Sequence, residues 1–238
     1  MPAKNDLPLL LPSDRYGLTT QDRLRFAEER AMGMCSPSDP VLMQVAAIVP
    51  PNKILAPKVQ AVIQRLVQTA AGQQQANQRE KQKRTLVGLA APQIGVSLRI
   101  MVVDTKIGPE RKMPGKLECF INPEIVWRSR ETVEGREGCF SAGPVWGLVR
   151  RSVAIKIRAF TSEGKRIERI FEGFTARIVQ HEYDHLRGIR FPELITSDKK
   201  RHWVHTEELD SYPEHIMHWP RLCSRARWEA FKRATKGA

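Results

Sequence analysis

The stretch Gln180-His181-Glu182-Tyr183-Asp184-His185 constrains the fold of this chain more than any other. His181 and His185 are four residues apart, so a helix brings both rings to one face, where they can bind one cation through nitrogens at roughly 2.0–2.1 Å. Glu182 then lies beside the ion but off its axis, placed to take a proton from ion-bound water, which is the mechanical content of an HExxH motif. Phe174, Ile178, His181 and His185 recur at i, i+4, i+7 and i+11, one face of a helix, and Gly188 is placed to end it. The motif is short, and two surface histidines that fall at this spacing by chance are the alternative reading.

Two imidazoles hold a divalent ion poorly, and a catalytic site generally has three protein ligands plus an open position. Downstream lie Glu193, His202 and His205, none at the spacing of a zincin protease. Upstream, Glu137-Gly138-Cys139-Phe140-Ser141 holds a cysteine in a short polar setting, and a thiolate is a strong ligand for Fe(II) or Zn(II). Further upstream comes Gly88-Leu89-Ala90-Ala91-Pro92-Gln93-Ile94-Gly95. These three motifs, in this order, closely resemble the peptide deformylases, which remove the N-formyl group from the initiator methionine of new bacterial and organellar proteins.

The resemblance implies a metal held by Cys139, His181 and His185, with Glu182 as general base and then general acid. It assigns the oxyanion to the side-chain amide of Gln93 and the backbone N–H of Phe140, each donor worth roughly 2.7–4 kcal/mol by analogy with a protease oxyanion hole. Gly88 leaves room for substrate main chain, and Ile178 and Phe174 are candidate walls of the methionine pocket or else plain core. Asp184 is read as structural, held by a basic partner such as Arg151. The family works with Fe(II), and the same donors suit Zn(II), Ni(II) or Co(II) in a purified sample. The sequence departs from the family pattern twice: Leu86 stands where a glycine is usual, and Phe140 to Gly147 replaces the usual Leu-Ser run after the cysteine. Both departures bear on substrate preference.

A length of 238 residues with 41% hydrophobic and 27% charged side chains suits one globular domain with extensions. The expected division is an N-terminal extension (1–37), a deformylase catalytic domain (38–195) and a basic, Trp-rich C-terminal extension (196–238). No apolar run approaches the roughly 20 residues of a membrane span. The acidic residues Asp6, Asp14, Asp22, Glu28 and Glu29 argue against a transit peptide, so the expected location is the cytoplasm. Cys35, Cys119, Cys139 and Cys223 show no CxxC spacing and fit a reducing compartment. Of the +13 net charge, the catalytic segment carries 25 − 15 = +10 and residues 196–238 carry 9 − 6 = +3. A basic surface on an enzyme of nascent formyl-Met chains points to ribosomal RNA as a partner, against the alternative of an unpartnered surface. A deformylase-like paralogue that binds ribosome or RNA without turnover is the second functional reading.

Periodicity predicts helices over 21–32 and 57–71, the latter with Val59, Val62, Ile63, Leu66, Val67 and Ala70 on one stripe. A strand-like entry is expected at 38–42 and a mobile loop or frayed helix end over 72–84. Strands are expected at 98–103, 118–125, 124–134, 148–160 and 165–172, and a basic amphipathic helix at 219–236. The pairs His202/His205 and His215/His218 are weak candidates for a second metal site. The class is α+β: antiparallel sheets packed around a central metal-binding HExxH helix at 173–187, the fold that the resemblance also implies.

Overall fold

The computed structural model describes residues 17–79, 86–106 and 116–234, with the side chains of 73–79 and 234 left out. In chain order the elements are α1 (Thr20–Ala31), α2 (Pro57–Arg79), β1 (Gly88–Ala90), β2 (Ile100–Asp104), β3 (Leu117–Arg128), β4 (Thr132–Gly138), β5 (Val145–Ser152), β6 (Ala154–Phe160), β7 (Arg166–Glu172), α3 (Gly173–Leu186), β8 (Arg201–Trp203), α4 (Tyr212–His215) and α5 (Arg225–Ala234). They form a five-stranded sheet ordered β1-β2-β3-β6-β7 and a three-stranded sheet ordered β4-β5-β8. Every strand pairing is antiparallel. None of the described helices is long and apolar enough to cross a membrane.

Strand β2 shows how the site helix is held. Its residues are apolar on both faces: Ile100 and Val102 join the core under α2, while Met101 and Val103 join the core under α3. The period-2 alternation of a strand therefore serves two helices at once. Helix α3 packs on β1, β2, β6 and β7 of the larger sheet and on β5 of the smaller, so HEYDH lies between the two. The helix ends where expected, with Gly188 at φ +70° after the cap residue Arg187.

Several sequence expectations change. Residues 38–42 form no strand: Asp39 caps a 3-10 turn over Pro40–Met43, its Oδ1 accepting from Val41 N at 3.0 Å. Of the two alternatives for the polar stretch after Gly72, the helix end is the one present: α2 continues through Arg79, Gln, Ala and Arg being good helix formers, and the rest of the stretch lies outside the described residues. Strand β3 runs on through Asn122-Pro123, where Asn122 takes φ +50° and bonds both the N–H and the C=O of Val49. A bulge there absorbs the irregularity. The strand expected over 124–134 is two strands broken at 129–131, and that over 148–160 is two strands meeting at Val153. Of the helix expected over 219–236, the described part is Arg225–Ala234, since Trp219 is extended and residues 221–223 pair with Arg201–Trp203; residues 235 and 236 lie outside the description.

The extensions belong to the same body. β8 adds a third strand to the β4-β5 sheet, so a boundary at 195 does not mark a physical separation. Trp203, Trp228 and Phe231 from the tail pack with Leu18 and Phe26 from the N-terminal segment against Val145, Val149 and Phe191. Thr19 caps α1 through a capping box with Asp22, and Asp22 is itself buried and bonded to the tail at Thr206 N (2.8 Å), Thr206 Oγ1 (2.8 Å) and His205 Nδ1 (2.7 Å).

Candidate metal centre and active site

Cys139 and the α3 histidines are more than forty residues apart in sequence, and the two sheets bring them together. Strand β4 ends at Gly138, so Cys139 leaves the smaller sheet at its edge and caps a 3-10 turn over Phe140–Ala142. One ligand atom from each of Cys139, His181 and His185 lies within 4.8 Å of the others, with Cys139 Sγ 3.3 Å from His185 Nε2. No other group of His, Cys, Asp or Glu among the described residues meets that condition. His202 and His205 are spent on Tyr212, Lys199 and Asp22 instead.

The donors fit a divalent ion. His181 Nδ1 sits 2.9 Å from Glu137 Oε2, which fixes the ring and turns Nε2 toward the thiol. Burial alone disfavours charge on His181, but hydrogen bonds to Cys139 and Glu137 outweigh it and raise its pKa well above the ordinary value. Burial and the charges of His181 and Arg190 push His185 the other way, toward the neutral ring that ligation needs. A thiol and two imidazoles at this separation are the donor set of Zn(II) or Fe(II).

Behind them stands an ionic network. Arg151 grips Glu137 with two bonds of 2.9 Å and also pairs with Asp184, while Arg177 adds a third bond to Glu137 at 2.9 Å. Burial would raise the Glu137 carboxyl, yet Arg151 and His181 hold it far below the usual carboxylate range. The expected Asp184–Arg151 pair is therefore present as one arm of a chain Asp184–Arg151–Glu137–His181. Sequence reasoning gave Glu137 and Arg177 no role, and the signal was available in Glu137: an acid two residues before the candidate ligand Cys139.

Around the donors opens a cleft of about 830 Å³, mouth included. Glu182, Gln93, Phe140, Ile178 and Phe174 all line it. Gln93 accepts from Ala90 N at 2.7 Å, which aims its amide nitrogen at Cys139 Sγ (3.4 Å) and Ser141 Oγ (3.3 Å). Phe140 is the first residue of its 3-10 turn, so its backbone N–H has no partner inside the turn. Ile178 is both cleft wall and core. Burial pushes the Glu182 carboxyl up to about 7, and its Oε2 has no hydrogen-bond partner among the described residues. Gly88 lines the cleft too, and a Cβ there would stand 2.6 Å from Glu182 Oε1, so the space that the glycine leaves on that side is filled by the acid.

Residues 32–201 match the family model for polypeptide deformylase. The chain belongs to the polypeptide deformylase family. A peptide deformylase of Cytophaga hutchinsonii is 34% identical over 163 residues, 68% of this chain and 81% of that one. One from Pseudothermotoga lettingae is 46% identical over 114 residues, 48% of this chain, and the match spans 61% of that relative's length. Among solved structures, a Met-Ala-Ser-bound class I type b peptide deformylase from Acinetobacter baumannii superposes with a TM-score of 0.58 at 33% identity, covering 68% of this chain and 96% of that one. Deformylases of this family are metal-dependent hydrolases. Helix α1 and most of the tail lie outside the matched residues.

Proposed function

We propose that this chain hydrolyses the formamide of N-formylmethionyl polypeptides, giving formate and a free amino terminus. The observation that carries the proposal is the approach of Cys139, His181 and His185 to within 4.8 Å with Glu182 in the same cleft. These three side chains would hold the ion, Fe(II) in the cell and Zn(II), Ni(II) or Co(II) in purified samples. The bound ion would supply Lewis-acid polarisation and make water nucleophilic at neutral pH.

The remaining steps fall to the chain's own groups. Glu182 accepts the proton of the attacking water as its oxygen bonds to the formyl carbon, and returns that proton to the amine nitrogen as the C–N bond breaks. Its burial suits a group that must both take and give a proton near neutrality, while a cation beside it draws its pKa downward. Gln93 Nε2 and the Phe140 N–H stabilise the oxyanion. Ile178 and Phe174 receive the methionine side chain.

The proposed substrate class supports a cytoplasmic location beside the ribosome, and the +13 charge supports a salt-sensitive ribosome contact. No observation favours the non-catalytic paralogue reading. The test is direct. Metal-loaded protein should release formate from formyl-Met-Ala-Ser, and Glu182→Ala should abolish release while keeping the metal. Iron-loaded wild type that yields no formate would end this reading.

A further inference from the structure

The cleft has a wall that the family match does not supply. Arg25, on α1, lines it together with Glu182, His181 and Cys139, although α1 ends before the matched region begins. The helix is fixed there at two points. Asp22 ties it to Thr206 and His205 as described, and the Phe26 ring lies 3.3 Å from where a Cβ on Gly143 would stand, four residues after Cys139. Arg25 is thus carried to the mouth by packing of its own neighbours.

Its guanidinium is under-used. The side chain is only 11% exposed; Nε lies 3.1 Å from Glu29 Oε1 and the group sits over the Phe26 ring, while Nη2 is buried without a hydrogen-bond partner. A second cation, Arg136 on β4, lines the same cleft near the Trp146 ring, at 5.8 Å from its centroid, and no carboxylate lies within ion-pair distance of it among the described residues. The acids of the cleft do not compensate them. Glu137 is taken up by Arg151, Arg177 and His181, and the Glu182 carboxyl lies against Gly88. A buried guanidinium nitrogen without a hydrogen bond, as Arg25 Nη2 is, is costly, and a bound carboxylate satisfies such donors with charge-assisted bonds.

We propose that Arg25 and Arg136 bind a carboxylate on the residues that follow methionine, so that this enzyme prefers peptides acidic at the second or third position. The inference rests on the deformylase reading for the identity of the peptide. The carboxylate has two sources, an Asp or Glu side chain or the free end of a short peptide, and both offer the guanidinium groups the same oxygens.

The experiment measures binding of unformylated peptides to full-length, metal-loaded protein by calorimetry, independently of turnover. Met-Ala-Ser-amide is the neutral reference; Met-Asp-Ser-amide and Met-Ala-Asp-amide carry a side-chain carboxylate, and Met-Ala-Ser a terminal one. At least one carboxylate peptide should bind about tenfold tighter than the reference, as one charge-assisted contact predicts. That ratio should fall below about twofold in the Arg25→Gln/Arg136→Gln double variant and survive in part in Arg25→Lys, which keeps the charge and the Glu29 pair. Thermal melting of each variant confirms folding. Equal binding of all four peptides by wild type, or a ratio that persists in the folded double variant, overturns the proposal. Formate release from formyl-Met-Ala-Ser-amide is measured alongside: its absence counts against the deformylase reading, whereas the binding ratio decides the carboxylate site by itself.

Discussion

Replacing Gly88 by alanine puts a methyl carbon 2.6 Å from Glu182 Oε1, 2.8 Å from Cγ and 2.9 Å from Cδ. Ordinary contact begins near 3.4 Å, so the carboxyl must retreat by about 0.8 Å. Glu182 is 4% exposed and has little room to retreat except into the cleft. Displacing a catalytic group by about 1 Å costs on the order of 100-fold. The loss should fall on kcat, because the acid moves while Ile178, the proposed wall of the methionine pocket, does not. Stability should fall by up to about 2 kcal/mol: overpacking costs roughly 1–3 kcal/mol, only partly offset by the roughly 0.4–1 kcal/mol that Gly→Ala recovers from the unfolded chain where the backbone permits it. Steady-state kinetics on a formyl-Met peptide, with metal content and thermal melting, check all three. If Gly88 instead serves substrate main chain, KM rises and kcat holds. Either that result or activity within threefold of wild type would refute the reasoning.

Glu137→Gln strips the shared partner from Arg151, Arg177 and His181; breaking a buried ion pair costs roughly 3–5 kcal/mol, and losing a ligand's outer partner weakens metal affinity by about 10–100-fold, so denaturant melts and metal titration should both respond. Asp22 is held below its ordinary pKa by His205, Thr19 and Thr206 in spite of burial. Its stabilisation is therefore full above the unfolded value of about 3.9 and is lost as pH falls through the lower folded value. Asp22→Asn should be less stable than wild type at pH 7, with the gap narrowing below about pH 4 in pH-dependent urea melts. Trp228→Ala, which empties a fully buried site between α5 and the β5 sheet, should cost about 3–5 kcal/mol by denaturation.

What the sequence disclosed, and what it hid, divides by range. HEYDH, the Val59–Ala70 stripe and the apolar run of β2 are local patterns, and the structure keeps each of them. The 3-10 turn at Pro40 was within reach, since Asp39 before proline is a cap signal. Other features depend on partners far along the chain. Asn122 holds its left-handed φ because Val49 lies opposite, and no strand period announces that. The role of Glu137 depends on arginines 14 and 40 residues away. The placement of Arg25 follows from contacts between α1 and residues more than 180 positions later. A helical pattern shows which face is apolar; it does not show what that face will meet.

X-ray absorption at the metal edge of zinc-loaded protein tests whether one sulfur and two imidazole nitrogens share a single ion. One sulfur near 2.3 Å and two nitrogens near roughly 2.0–2.1 Å are expected, with the sulfur shell missing in Cys139→Ala. A wild-type shell without sulfur, or one unchanged in that variant, would contradict the account.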